Sequence, residues 1–534
     1  MPQNIIIFLI FNKFTMKKYF YFLPLVAALT MTGCSSDESD FDKEVNGGNG
    51  EASYLAVNVV TPNGIGTRAG TEGGFEDGIP MENKAEKGTF LFFDAGGVQI
   101  QAPQTVDLTW KSDPSTNNNP QVEKISEAVL VIAGNTAPER VLVVLNAPAG
   151  ANFSNKSMTE VRNLIENYDA QTEGTFIITN STYEKDGKDA CATDIAGKTY
   201  KSQDDAKMNA VDIYVERVLA KVTTSALSPD FAQGAEITVD GQPIKLKQEI
   251  NGIEIANIAD KSYLFKSIEG FAGWTTWANW NDVANFRSYW ATSPNDLTYS
   301  NKSWSDITDA VDASHTYYIQ ENTANVQPTA VLVTATLKTD NGTPFTFVKW
   351  AGSYYAKDGF LKQYAQILTN AGYWVKKDAT TYRTIEDADL DWLTKDEHKE
   401  LVDAGAFKGY EMTAKVKDNT LEFFKKEGEN YTPVTIDDMN TLLKEETNRC
   451  WIWEDGKCYY FVNIEHFGSE GFDVGIVRNH VYKLNLNSLS GVGVPVYNPD
   501  EVIIPEVPTD DLFYLAAQIN ILKWKIVEQT VDFK

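Results

Sequence analysis

Apolar and polar residues alternate with a period of two at both ends of this chain, and that alternation commits it to sheets that bury one face. Leu55, Val57 and Val59 alternate with Ala56, Asn58 and Val60 until Pro62 stops the strand. Val481-Tyr482-Lys483-Leu484-Asn485-Leu486 alternates again, and the closing stretch from Phe513 to Phe533 is strand-like. Between them, strands are expected at Thr89 to Phe93, Ala128 to Ile132, Val141 to Leu145, Thr175 to Thr179, Thr316 to Gln320 and Ala330 to Leu337. Val211 to Val222 is the longest β-favouring run in the middle of the chain. With 24 Tyr, 27 Phe and 12 Trp in 534 residues, composition points the same way. The class expected is all-β with small helical insertions.

Three helices interrupt the strands. Ser157-Met158-Thr159-Glu160 is a capping box, after which Val161, Leu164, Ile165 and Tyr168 share one helical face. A second helix is expected from Asp358, with Leu361, Tyr364, Ile367 and Leu368 inward and Gly372 as its stop. Thr435, with Asp438 three residues on, caps a third. The polar stretch Lys198 to Lys207 precedes the long central run, so a boundary is placed near 208, between an N-terminal domain (54–207) and a C-terminal domain (208–534). The second carries a charged insertion at 376–448 and a tail at 513–534. Asp455-Gly456 is expected to turn a hairpin with arms Cys450 to Trp453 and Lys457 to Val462. A disulfide between Cys450 and Cys458 needs an odd-length loop, whereas a two-residue turn sets Trp453 opposite Cys458; both registers stay open.

Met16-Lys17-Lys18, the apolar run Tyr19 to Thr32 and Gly33-Cys34 form a secretory signal too short to span a bilayer. Met16 is read as the start. Thr32-Gly33-Cys34 resembles a lipobox, so 1–34 is read as a lipoprotein signal peptide with Cys34 lipidated, and 35–53 as a flexible tether. The Ser/Asp/Glu tract after Cys34 resembles surface-export signals. Beyond Pro62, Asn63 to Gly74 is a Gly-rich loop holding Arg68, exposed and open to cleavage.

Lys plus Arg is 47 against 74 Asp plus Glu, a net charge of -27, which disfavours nucleic acid and bare anionic membrane as partners. Four cysteines and four histidines are too scattered for zinc spacing. Asp387-Ala388-Asp389-Leu390-Asp391 has calcium-loop spacing, but Trp392 stands where the turn glycine belongs. No Ser sits in a G-x-S-x-G elbow. Neither a catalytic residue nor a cofactor or metal is expected. The aromatics from Trp274 to Trp290 suit a core or interface better than a sugar site.

Thr67-Arg68-Ala69, Val144-Leu145-Asn146-Ala147-Pro148, Glu216-Arg217-Val218-Leu219-Ala220-Lys221-Val222, Arg478-Asn479-His480-Val481-Tyr482-Lys483-Leu484 and Gly491-Val492-Gly493-Val494-Pro495 resemble the fimbrillins of type V pili, more the Mfa-type major subunit than the FimA type. The resemblance runs from Cys34 to Lys534. It implies two transthyretin-like Greek-key β-sandwich domains, export as a lipoprotein anchored in the outer membrane, and cleavage by an Arg-specific protease between Arg68 and Ala69. It also implies polymerisation by strand exchange into a cell-surface fimbrium. The partners implied are further copies of the chain, pilus anchor and tip subunits, and host or bacterial surface ligands.

Physical reasoning supplies a mechanism beside the resemblance. Removing residues 1–68 strips away the strand holding Leu55, Val57 and Val59 and leaves an apolar groove with unpaired edges. The tail offers Leu515, Ile519 and Ile521 on one face and Leu522, Trp524 and Ile526 on the other, a pattern suited to a donor strand. Pro505 and Pro508 are expected to hold it away from its own subunit; the other reading is a final strand docked in its own sheet. The competing functions are a tip or accessory adhesin of the same pilus and a surface glycan-binding lipoprotein that never polymerises.

Overall fold

The computed structural model describes residues 53–62, 78–110, 122–133, 136–166, 176–185, 188–269, 290–323, 326–466, 475–505, 514–522 and 527–530. The first sandwich is built from β1 (Ser53–Pro62), β2 (Lys87–Phe93), β3 (Val122–Ile132), β4 (Arg140–Leu145), β5 (Ile178–Asn180) and β6 (Val211–Arg217). Hydrogen-bonded neighbours run β2-β4-β5-β6-β1-β3. The inner faces of β1 and β3 meet those of β2 and β4 in one core, where Leu55, Val57 and Val59 pack with Phe90, Phe92, Leu130, Val141, Val143 and Ile213. The runs Phe90-Leu91-Phe92-Phe93 and Val141 to Leu145 are apolar without alternation because their second face is covered too, by Phe153, Val161, Phe176, Leu264 and Phe265.

The second sandwich opens with β7 (Ala220–Thr224). It continues through β8 (Gln242–Ala256), β9 (His315–Ile319), β10 (Ala330–Thr339), β11 (Phe347–Trp350), β12 (Cys450–Trp453), β13 (Lys457–Asn463) and β14 (Val481–Ser490). The tail adds β15 (Tyr514–Leu522) and β16 (Val527–Thr530). One sheet runs β9-β7-β14-β15-β16; the wider one runs from β12 through β11, Ser353–Ala356, Ala235–Val239, β8 and β10 to β13. Val222, Val331, Val333, Phe347, Trp453, Tyr482 and Leu484 fill the space between them. Gly252 sits at a bulge in β8, where a Cβ would run into the Ile307 carbonyl.

Three expectations need correction. The sheet changes at Val218-Leu219, not near 208, because β6 pairs with β1 and β5 and so completes the first sandwich. The helix after Ser157, α1 (Met158–Arg162), keeps its capping box but ends early. Its expected last turn is claimed by tertiary pairing, since Ile165–Glu166 bonds to Ser262–Tyr263 and Leu164 accepts the Leu264 N–H. The Cys450–Cys458 hairpin does not form. β12 pairs with β11, β13 pairs with β10, and the chain passes between these ends of the wide sheet through the kink Glu454–Gly456. Gly456 has φ 68 there, and a Cβ would strike the Leu337 carbonyl.

One helix precedes the insertion and two lie within it, the latter starting at capping boxes. α2 (Leu361–Asn370) buries Tyr364, Ala365 and Leu368 and stops before Gly372. α3 (Lys395–Asp403), not foreseen, has a Thr394/Glu397 capping box legible in the sequence, and α4 (Ile436–Leu443) has its Thr435/Asp438 box. Their core joins Met439, Leu443 and Phe423 to Val348, Cys450 and Ile452, so the insertion covers the outer face of β11 and β12.

Candidate assembly site

β1 is an internal strand. It runs antiparallel to β3 from Ser53↔Ile132 to Pro62↔Val122 and parallel to β6 from Val57↔Val211 to Val60↔Tyr214. Tyr54 exchanges two main-chain hydrogen bonds with Tyr200 before the β6 contact begins. Leu55, Val57 and Val59 are each 0% exposed. Burial of three such side chains contributes roughly 5–9 kcal/mol, comparable to the whole stability of a domain. Outside the core its side-chain tie is slight, an exposed Asn58 amide donating to Asp212 at 2.9 Å.

The tail is placed differently. β15 lies antiparallel to β14, from Val481↔Leu522 to Ser490↔Tyr514, and β16 folds back on it. The tail expected to stand off its own subunit is therefore paired with it. β14 presents an open edge on its far side from β7, and a segment on the same chain reaches that edge at high effective concentration. The bulge that lets faces switch lies in β14, between Leu486 and Ser488. Leu515, Ile519, Ile521 and Leu522 belong to β15, whereas Trp524 and Ile526 lie outside the described residues. So do Cys34, Arg68, Ala69 and residues 274–289.

At the crossover from β6 to β7 the structure brings together two segments 262 residues apart, Glu216 to Val222 and Arg478 to Leu484. The Lys221 N–H donates to the His480 carbonyl at 2.9 Å, the Asn479 N–H to the Leu219 carbonyl at 2.9 Å, and the Arg217 N–H to Asn479 Oδ1 at 3.4 Å. Around this seam lies a buried ionic network. Arg478 is paired with Glu321, both 0% exposed, and also donates to the Leu264 and Tyr263 carbonyls. Lys266 Nζ reaches Glu216 at 3.0 Å in equal seclusion. Burial pulls the Lys266 ammonium below its ordinary range, against the opposing pull of Glu216 and Glu321. Lys221 Nζ reaches Glu82 at 2.8 Å. The sequence displays these motifs but not their meeting; a signal was available in Glu216, Arg217 and Lys221, charged residues set within an otherwise apolar run.

Cys450 and Cys458 are free, buried thiols, and Cys458 donates to the Ala335 carbonyl at 3.4 Å. They cannot bridge because the strands carrying them lie apart in the sheet. Burial pushes each up to about 12, so both stay protonated. In the calcium-spaced loop, Asp389 is taken by a bidentate Arg383 at 2.6 and 2.7 Å and by the Glu386 N–H, an intrachain use for its oxygens.

Residues 452–530 match the fimbrillin C-terminal family, described as major fimbrial subunit protein type IV. That stretch is similar to the C-terminal region of fimbrillins. The matched stretch takes in β13, β14 and both tail strands. Among solved structures the chain is similar to a candidate cell adhesion protein from Parabacteroides distasonis, at 13% identity and TM-score 0.40 over 90% of this chain and 98% of that one. It is also similar to the tip fimbrial protein Mfa3 from Porphyromonas gingivalis with C-terminal truncation, at 11% identity and TM-score 0.30 over 88% and 99%. No curated protein sequence matches it.

Proposed function

We propose that this chain is a fimbrillin, the polymerising shaft subunit of a pilus, exported as a lipoprotein through Cys34, cut after Arg68, and joined to its neighbours by donor-strand exchange. The observation that carries the reading is the internal position of β1, with Leu55, Val57 and Val59 wholly buried just upstream of the glycine-rich loop that holds Arg68. Loss of β1 opens a slot one strand wide, its walls β3 and β6 about 9.5 Å apart at two strand spacings. Both walls then present unpaired N–H and C=O groups above an apolar floor, so a replacement strand recovers two ladders and the burial together.

The tail of a neighbouring copy is the donor. In its own subunit β15 lies next to the edge of its sheet, with only the short β16 beyond, so its release unpairs one edge, that of β14, and splits no sheet in two. A donor that takes the direction of β1 runs parallel to β6 and antiparallel to β3, presenting Leu515, Ile519 and Ile521 at alternate positions. An Arg-specific protease, anchor and tip subunits, and surface ligands complete the partners.

N-terminal sequencing of the surface-shed protein tests this, with Ala69 expected as the first residue. Arg68→Ala is expected to leave an uncut, monomeric lipoprotein; normal polymers from that variant overturn the mechanism.

A further inference from the structure

Glu82 lies on the segment between the Arg68 loop and β2, and it is 0% exposed. Its carboxylate gathers three donors, two from strands of the second sandwich and one from its own turn. Lys221 Nζ of β7 approaches Oε1 at 2.8 Å, the Tyr318 hydroxyl of β9 donates to Oε1 at 2.6 Å, and the Ile79 N–H donates to Oε2 at 3.0 Å. Its main-chain carbonyl accepts Arg217 Nε of β6 at 3.1 Å. One residue thus ties the chain just beyond the proposed cut to the strands on both sides of the Val218-Leu219 crossover. Tyr318 is held as a neutral donor, burial first and the bond to Glu82 second raising it above the ordinary phenol range.

We propose that Glu82 is a clamp that keeps the chain end created by cleavage fixed while β1 departs, so that the opening stays one strand wide and β2 does not follow. This deepens the shaft reading and rests on its cut after Arg68. In the uncut chain, residues 78–86 are joined covalently to β1 on one side and to β2 on the other. After the cut, β2 and the Glu82 contacts remain, together with the bonds that Asn146, Trp110 and Leu108 donate to the Lys84, Ala85 and Glu86 carbonyls just before β2. A buried carboxylate that holds three donors cannot leave without giving up all three bonds at once, so the segment stays down. The clamp sits on the positions that stay with the subunit, and the released strand carries none of it.

The test compares the full chain before and after cutting with an Arg-specific protease, the new end verified as Ala69. Amide hydrogen exchange is followed over residues 78–93. In the wild type, cutting is expected to change exchange less than threefold. In Glu82→Ala the uncut chain is expected to stay within threefold of wild type and the cut chain to exchange at least tenfold faster. Equal acceleration before and after the cut marks Glu82 as a general stabiliser and overturns the clamp, as does unchanged exchange in both. A wild-type segment that loosens tenfold on cutting overturns it too. Should Glu82→Ala fail to fold, Glu82→Gln and Tyr318→Phe replace it, with the same cut-specific acceleration expected at about threefold and its absence overturning the proposal. Polymer formation is scored in the same samples: a cut wild type that never polymerises sinks the shaft reading, while the exchange ratio still decides the clamp.

Discussion

β1 and β7 open the two sandwiches in the same way. Each has a parallel neighbour on one side, β6 for β1 and β14 for β7, and an antiparallel one on the other, β3 and β9. Each buries its inward side chains completely, Val57 and Val59 in one case and Ala220 and Val222 in the other. The difference is in what flanks and ties them. β7 follows β6 after two residues, and its Lys221 is locked to Glu82 inside the protein. β1 precedes a glycine-rich stretch with a lone Arg, and its side-chain tie, Asn58 to Asp212, is exposed. Burial makes both strands necessary; connection makes one of them removable.

The largest expected effect breaks or keeps that contrast directly. Val57→Asp and Val222→Asp each put an unpaired charge in a core and are expected to cost about 4 kcal/mol or more in the uncut chain, read by urea denaturation. After cleavage and release of β1, Val57→Asp should have no residual effect on the subunit, while Val222→Asp keeps its full penalty. Persistence of the Val57→Asp penalty in a polymer of cut subunits shows that β1 never leaves.

Next in size is the seam itself. Arg478→Leu leaves Glu321 buried and unpaired and is expected to destabilise by about 3–5 kcal/mol, whereas replacing both partners together, Arg478→Leu with Glu321→Leu, should recover most of that loss. Additive losses in the double variant argue that the pair is not a unit.

Alkali probes the wide sheet of the second sandwich. The Cys450 and Cys458 thiols sit near 12 in the fold against an ordinary value of 9.0, so the unfolded chain gives up these protons first. Stability is then intact below pH 9 and falls as pH rises from about 9 to 12, by about 1.4 kcal/mol per pH unit for each thiol. Denaturation midpoints measured across that window check the sign. Labelling of the native protein by a thiol reagent should be absent at both positions, and a mass consistent with a bridge would contradict the separated strands.

The smallest effect sharpens the picture of β1 as weakly tied: Asn58→Ala should cost about 0.5–1 kcal/mol in the uncut chain and nothing in the cut one.

Much of the strand inventory was legible because period-two patterning is local. Thr89 to Phe93, Val141 to Leu145, Thr316 to Gln320 and Ala330 to Leu337 fall within one or two residues of β2, β4, β9 and most of β10. The caps at Ser157 and Thr435 were legible for the same reason, since each needs two side chains three residues apart. α3 carried an equal signal at Thr394 and Glu397, and only the low apolar content of its sequence hid it.

What the sequence alone determined, then, is the all-β class, the alternation of β1 and the helix starts at Ser157 and Thr435. All of these rest on neighbours within a few residues. Tertiary structure decided which strands are internal, why Val211 to Val222 splits between two sandwiches at Val218-Leu219, why Cys450 and Cys458 lie apart despite an apparent hairpin, and how Glu82, Glu216, Glu321 and Arg478 meet at one seam. Pairing partners and buried charge networks depend on residues as much as 262 positions apart, and no local period encodes which strand edge another segment will meet.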